Sequence, residues 1–444
     1  MWIGIDDTDS RDGGCTTFIC FEFVCRLYEK GYCLKRYPRL VRLNPQVPWK
    51  TRGNGSVAVD IAKNGKEKIS FARRDNRVFF LDPDADDGDV KCEEATSILE
   101  EVLDEYAEFD AADTNPAYVV SSEQFPSDFY QRAVHELVGI QDAVSMIESL
   151  DGSYSLMKNG RGVIGASAAI SWDEAGDHTF ELISYRPQST WKTPRFVEDD
   201  SVKKMDEQFP STFNNYDFKN TYNGIMPHSP CPILYGIRGD EASDLPDCMK
   251  MIKSEPVLGW MMFQSNQGTD DHLRKKEISD VNSYQSVMVQ AKVSSVPLRM
   301  KGGHIIFTLS DKNESSIDCA AYEPTKEFRD VIDSLAVGDE IEVFGGVRKK
   351  PLTLNIEKIR VIDLVEVYEK VSNPVCPSCQ KHMKSKGKNQ GFFCKKCHTV
   401  SDHAEIKMLK RSIQKGWYEV PVCARRHLAK PLKRMKDEQN LSEM

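Results

Sequence analysis

No apolar stretch among the 444 residues approaches the roughly 20 that a membrane-crossing helix needs. The first residues, Met1 to Asp7, lack the basic start and long apolar run of a secretory signal, so a cytoplasmic protein with no membrane partner is expected. Neither GxxxxGK(S/T) nor GxGxxG occurs, which removes two familiar phosphate-cradling loops. No internal repeat is visible, and the one low-complexity candidate, Asp82 to Asp89, reads as a solvated and dispensable acidic loop. Positive charge is scarce: 59 Lys plus Arg face 68 Asp plus Glu, for a net charge of −9. Such a chain repels a polyanion except where it is locally basic. Thirteen cysteines, an odd number, fit a reducing compartment better than a disulfide scaffold. At 40% hydrophobic residues the chain can build real cores, and its length suggests three or four domains.

Four of the cysteines are spaced for a metal. Cys376-x-x-Cys379 and Cys394-x-x-Cys397 form two knuckles 14 residues apart, the pattern of a zinc ribbon whose four thiolates close a tetrahedral shell. His398 and His403 lie beside a shell that is already full. From residue 376 to 436 there are 16 Lys plus Arg against 3 Asp plus Glu, a local charge of +13 that leaves −22 on the remainder. Aromatic residues Phe392, Phe393, Trp417 and Tyr418 interleave with that charge, so the segment reads as a nucleic-acid arm. Lys395, Lys396, Lys410, Arg411, Arg425 and Arg426 are its candidate contacts. The tail from Ser412 to Met444 is polar enough to predict disorder in the absence of RNA.

Upstream, residues 284–366 read as a small barrel. Strands are expected over Tyr284 to Val296, Ile305 to Leu309 and Ile317 to Tyr322, then a helix over Pro324 to Leu335, then strands from Val337 to Gly346 and from Leu352 to Leu364. That order is an OB-fold, a barrel that commonly holds single-stranded nucleic acid.

The N-terminus carries other chemistry. An apolar strand, Met1 to Ile5, runs into Asp6-Asp7-Thr8-Asp9, three carboxylates within four residues. They repel one another unless a cation lies between them, and magnesium suits such oxygens. Gly13 and Gly14, followed by Thr16 and Thr17, place free N–H groups and hydroxyls at a helix start, where phosphate binds well. A second cluster, Lys50-Thr51-Arg52-Gly53-Asn54-Gly55, sets two cations on a loop whose glycines permit close approach to a ligand. Such cations stabilise a phosphoryl group in transfer. In the middle of the chain Asp128 to Ile147 reads as one amphipathic helix, and Gly162 to Ile170 and Phe180 to Tyr185 read as strands. Gly160-Arg161-Gly162 reads equally as a plain turn or a ligand loop.

"GIDDTDS", "GGCTTF", "PRLVRLNP", "KTRGNG", "TNP" at Thr114 to Pro116, "GRGVIGA" at Gly160 to Ala166 and "SNQGTDDH" at Ser265 to His272, followed by the barrel and ribbon, resemble the archaeal tRNA-isoleucine 2-agmatinylcytidine synthetases. The resemblance covers almost the whole chain. It implies an α/β multidomain protein: an ATP-binding, cytidine-kinase-like α/β domain over residues 1–120, a ferredoxin-like α+β domain over 121–282, the OB-fold β-barrel over 283–367, the zinc ribbon over 372–404 and a basic C-terminal segment over 405–444. It implies a ligase that uses ATP and agmatine to modify the wobble cytidine of an isoleucine tRNA with a CAU anticodon, through a phosphorylated cytidine, ATP going to AMP and pyrophosphate overall. Asp6, Asp7 and Asp9 would then hold Mg2+, Thr16 and Thr17 would lie against the phosphates, Thr16 would be a candidate phosphoacceptor, and Lys50 and Arg52 would meet the transferring group. Gly13, Gly14, Gly53, Asn54 and Gly55 would shape the nucleotide site.

Two readings from other function classes stand beside this one. A non-enzymatic tRNA or single-strand binder leaves the aspartates idle and would show no ATP hydrolysis with cognate tRNA. A metal-dependent nuclease would use the carboxylates and barrel to cut RNA without ATP.

Overall fold

The computed structural model describes residues 1–86, 88 and 90–435. The first strand, Trp2–Asp6, lies between Gly55–Lys63 and Ala117–Ser121, antiparallel to both. Its alternating side chains serve two cores, as the two-residue period of a strand requires. Ile3 and Ile5 pack with the helices Thr16–Glu29 and Cys92–Tyr106 through Phe18, Phe21 and Leu99. Trp2 faces the opposite side, where the helix Gly162–Ser171 lies on the sheet.

That helix corrects a sequence expectation. Gly162 to Ile170 reads as a strand in the sequence, but the run is helical. Its small residues let the helix settle directly on the sheet: a Cβ placed on Gly4 would sit 2.2 Å from the Ala166 carbonyl oxygen. A helix apolar on every side belongs in a core, and a short apolar run has no period to separate it from a buried strand. Asp128 to Ile147 is likewise two helices, Ser127–His135 and Ile140–Ser149. The second starts where the Gly139 N–H donates to Asp142 Oδ2 at 3.1 Å. The expected strand at Phe180 to Tyr185 is present as Thr179–Tyr185.

Arg39–Arg42 extends the sheet, pairing with Gly55–Lys63 on one side. On its other side it runs parallel to Gly259–Ser265 over two residue pairs, Gln264 with Arg39 and Ser265 with Leu40. Thr179–Tyr185 and Ile233–Gly239 follow, so both N-terminal units share one 11-stranded sheet. At the seam between them the Lys50–Gly55 loop reaches across, from Arg52 Nη1 to Ser229 Oγ.

The barrel forms as expected. Ser286–Val293, Ile305–Ser310, Ser316–Ala321, Glu340–Arg348 and Thr353–Asp363 close into a five-stranded ring, with the helix Phe328–Asp333 between the third and fourth strands. Short strands Lys384–Ser385, Phe392–Phe393 and Val400–Ser401 build the ribbon.

The expectation of a disordered tail fails over 412–435. Gly416–Glu419 adds a strand to the barrel beside Thr353–Asp363. The chain then returns to the seam, where the Gly268 N–H donates to the His427 carbonyl at 2.7 Å and the Asp270 N–H to that of Leu428 at 2.8 Å. Leu428 is 2% exposed, inside the core that holds Trp2. Apolar residues at wide spacing, Ile413, Val420, Leu428 and Met435, anchor a segment too polar on average to predict order. Residues 436–444 lie outside the described residues. The acidic loop also differs from expectation: Asp82 is buried, accepts N–H bonds from Lys66 and Asp84, and pairs with Lys68 at 2.6 Å. Asp87 and Asp89 lie outside the described residues.

Candidate functional site

Asp6 ends the first strand and points toward Gly165 on the small-residue helix, where any side chain would collide with its carboxylate. Asp7 follows with φ 58°, a left-handed turn that swings the chain away from the sheet, and its carbonyl accepts the Asn115 N–H at 2.9 Å. The motif Thr114-Asn115-Pro116 therefore braces the aspartate loop. Burial comes first in raising the Asp6 carboxyl well above its ordinary range, with Asp7 and Asp9 adding repulsion. Burial likewise lifts Asp7 to about 6, against a hydrogen bond from Asn115 and the nearby Arg161 cation. Two desolvated, mutually repelling carboxylates are the condition that a dication relieves, so the residues present fit magnesium.

Asp9 has a different task. Its Oδ1 accepts from the Thr16 N–H at 2.8 Å and from the Thr16 hydroxyl at 3.2 Å, while its Oδ2 accepts from Arg52 Nε at 3.2 Å. One carboxylate thus ties the start of the Thr16–Glu29 helix to the Lys50–Gly55 loop. Arg52 also donates to the carbonyls of Gly13 and Gly14, and its Nη1 reaches Ser229 Oγ at 3.0 Å across the seam. Thr51 donates to the Asp113 carbonyl at 3.0 Å, and Asn54, at φ 48°, returns the loop to the sheet through the Leu43 N–H at 2.9 Å.

Two adjoining cavities meet at Asp9, Thr16, Arg52 and Gly55. The smaller, about 80 Å³, is bordered by Asp6, Asp7, Lys50, Asn54 and Arg161, with the Arg161 guanidinium 3.9 Å from the Trp49 ring centre. The larger, about 440 Å³, has Thr17 and Gly53 at one end. Of the candidates, Gly13 and Gly14 border neither cavity; Gly14, at φ 60°, shapes the turn, and Gly13 packs on Glu108.

Sequence reasoning missed most of the larger cavity. Arg42, Glu181 and Arg238 line it, and Glu181 Oε1 pairs with Arg238 at 3.1 Å. Arg42 belongs to the PRLVRLNP run but has no role assigned from it, and Glu181 and Arg238 are unmarked because only strand pairing sets them opposite each other. The tail supplies the last wall through Val422, Cys423, Arg425, Arg426 and His427. The six basic candidates divide accordingly. Lys395, Lys396 and Lys410 are exposed. Arg411 pairs with Asp339 at 2.6 Å, Arg425 with Glu419 at 2.6 Å and Arg426 with Glu357 at 3.2 Å.

In the ribbon the sulfur atoms of Cys376, Cys379, Cys394 and Cys397 all lie within 4.8 Å of one another. They are the one group among the described residues placed to hold a metal in this way, and four converging thiols fit zinc.

Comparison with known proteins agrees with this geometry. The TiaS TCKD domain matches residues 2–158, the TiaS FLD domain residues 160–272, an OB-fold nucleic acid binding domain residues 287–362 and the TiaS C-terminal zinc ribbon domain residues 373–413. The isoleucine-tRNA 2-agmatinylcytidine synthetase TiaS of Methanocaldococcus jannaschii is 40% identical over 442 residues, covering 97% of this chain and 98% of its own. That of Archaeoglobus fulgidus is 39% identical, covering 99% and 98%. A crystal structure of TiaS in complex with its isoleucine tRNA and ATP superposes with a TM-score of 0.84 at 37% identity, covering 98% of this chain and 97% of that one. One of TiaS with the same tRNA, AMPCPP and agmatine gives 0.82 at 35%, covering 99% and 98%.

Proposed function

The chain belongs to the isoleucine-tRNA 2-agmatinylcytidine synthetase family, TiaS, and from that premise we propose that it joins agmatine to the wobble cytidine of a CAU-anticodon isoleucine tRNA at the expense of ATP. The observation that carries this reading is the meeting of the aspartate loop, Thr16 and the Lys50–Gly55 loop at two adjoining cavities. The 2-oxygen of cytosine is a poor leaving group, and phosphorylation turns it into one that an amine can displace. ATP bound at this junction would supply that phosphoryl group.

Asp6 and Asp7, with Asp9 at the edge, would hold magnesium, which neutralises charge on the triphosphate. Thr16 has its hydroxyl between Thr8, which donates to it at 3.0 Å, and Asp9, which accepts from it. Thr16 Oγ1 would there meet a terminal phosphate or accept one. Lys50 and Arg52 bring positive charge to the group in transfer. Thr17, Gly53, Asn54 and Gly55 shape the nucleotide side, and Gly13 and Gly14 set the turn that Arg52 grips. A cytosine within an anticodon loop must leave its stack to enter, at a cost lowered by the exposure of loop bases. The barrel and the exposed lysines of the ribbon would hold the tRNA, which assigns zinc a structural part. A reaction on tRNA fits a cytoplasmic protein.

The test is direct. The protein, CAU-anticodon tRNA, ATP, magnesium and agmatine should give a wobble nucleoside heavier by the agmatine increment, with ATP consumption dependent on cognate tRNA. RNA cleavage without ATP would establish a nuclease instead, and binding with no ATP turnover a plain RNA binder. Thr16→Ala should impair phosphoryl transfer and leave the fold intact.

A further inference from the structure

We propose that His427, on the C-terminal segment that closes the larger cavity, takes the proton from the amine of agmatine as that amine displaces phosphate from the activated cytidine. The proposal rests on the function just described and adds a residue to it.

The imidazole opens onto the cavity of about 440 Å³ that also holds Asp9, Thr16 and Arg52. Its hydrogen bonding fixes which nitrogen is free. Gln267, 1% exposed, donates through Nε2 to Glu181 Oε2. A carboxylate paired with Arg238 only accepts, so the amide nitrogen of Gln267 must face Glu181 and its oxygen must face the histidine. That oxygen lies 3.0 Å from His427 Nδ1. It too only accepts, so the ring proton resides on Nδ1 and Nε2 keeps its lone pair. Nε2 is turned to the catalytic loop: a Cβ on Gly53 would come within 3.3 Å of it. The chain Glu181–Gln267–His427 thereby presents a fixed, unprotonated nitrogen beside Arg52 and Gly53.

The surroundings keep that nitrogen free. Repulsion from Arg42 on one strand, Arg238 on another strand and Lys50 on the loop holds protonation of His427 below the ordinary histidine range. Arg425 and Arg426 flank it on its own segment, and Glu181 reaches it only through Gln267. A phosphorylated substrate would bring negative charge among these cations and relieve their repulsion of an imidazolium. The proton affinity of the base would rise when it is needed.

The step balances. One amine proton passes to His427 Nε2, the amine lone pair forms the bond to cytosine C2, and the C2–O bond breaks with its electron pair on the departing phosphate. The imidazolium then returns its proton to the departing phosphate, giving the hydrogen phosphate dianion and neutral histidine.

The test uses full-length protein, cognate tRNA, γ-labelled ATP and agmatine in single turnover. In His427→Gln we expect the rate of agmatine incorporation to fall by ~10²–10⁴-fold, the ordinary span of general acid–base catalysis, while labelled phosphate still reaches the tRNA and accumulates there. An aminooxy nucleophile, whose nitrogen gives up its proton more readily once it has attacked, should lose far less. Gln267→Leu, which frees the ring to turn, should lower agmatine incorporation and alter its pH profile with phosphoryl transfer retained. Agmatine incorporation within threefold of wild type in His427→Gln, or equal losses for agmatine and the aminooxy compound, would overturn the proposal. A wild-type protein that forms no agmatine adduct at all would instead overturn the parent function.

Discussion

Two halves of one basic run have like composition and opposite fates. Between residues 376 and 410 the lysines, Lys395, Lys396 and Lys410 among them, stand exposed. Between 411 and 435 Lys415 stays exposed and Arg425 pairs with the nearby Glu419, but other cations turn to carboxylates far away in the chain. Arg426 meets Glu357 on the barrel, and Lys430 and Arg434 meet Asp177 at 3.2 and 2.7 Å. Arg434 also meets Asp240 at 2.6 Å. A run of positive charge is therefore not by itself a nucleic-acid footprint, because distant carboxylates decide whether it faces solvent. The first half offers charge to a polyanion, while the second fastens the barrel to the sheet seam and walls the cavity.

If catalysis and tRNA holding are separable, damage to the aspartate loop should spare the exposed half. Asp7→Asn should cut ATP consumption by ~10³-fold, the upper range for removing one electrostatic group from a water-poor site. Affinity for tRNA, followed by filter binding, should stay within about twofold, since Asp7 would hold a cation rather than an RNA phosphate. Parallel loss of both would dissolve the division.

The inward half can be tested through stability. Burial pushes the Glu357 carboxyl up, but Arg426 and then His272 overcome it and hold it at about 2, against an ordinary 4.5. Because the folded value is depressed, this contribution is fully present above pH 4.5 and is lost as pH falls toward 2. Arg426→Ala leaves a buried carboxylate with one partner fewer and should cost about 3 kcal/mol at neutral pH, the low end for breaking a buried pair whose cation is partly exposed. Denaturant midpoints at neutral pH and at pH ~3 check it, and the difference from wild type should narrow in acid. A neutral effect would return Arg426 to the exposed class.

How far the sequence carries this division follows from the range of its signals. The ribbon is legible because metal chemistry fixes the spacing of Cys376, Cys379, Cys394 and Cys397, and the barrel because its strands follow one another with clear turns. Asp6, Asp7 and Asp9 are legible because crowded carboxylates need a reason. The Glu181–Gln267–His427 chain is not. Gln267 stands inside the SNQGTDDH run, but its meeting with Glu181 depends on the pairing of Thr179–Tyr185 with Gly259–Ser265, and His427 joins them from a tail 160 residues away. The helix at Gly162–Ser171 passes for a strand because small apolar residues carry no period, and its packing on Gly4 and Asp6 is a tertiary fact.

For the outward half, Cys394→Ser removes one of four zinc ligands from a module with almost no core of its own. The ribbon should unfold, and tRNA affinity should fall ~10-fold or more with a shallower salt dependence, as its lysines no longer release counterions. Thermal melting of the remainder should be unchanged, since the second basic half stays paired. Loss of the whole fold would mean the ribbon supports the body.

The smallest effect makes the sharpest comparison. Lys396→Ala removes one exposed cation from the ribbon surface, so stability should shift by less than about 0.5 kcal/mol. A lysine that meets a phosphate contributes close to one released counterion, and the slope of log affinity against log salt should fall by about 1. The same substitution at Arg426 should do the reverse, moving stability strongly and the slope little. Titrating tRNA affinity across salt for both variants, with melting curves alongside, separates cations that face RNA from cations that hold the protein together. Equal salt slopes in the two variants would mean that the basic run acts as one surface after all.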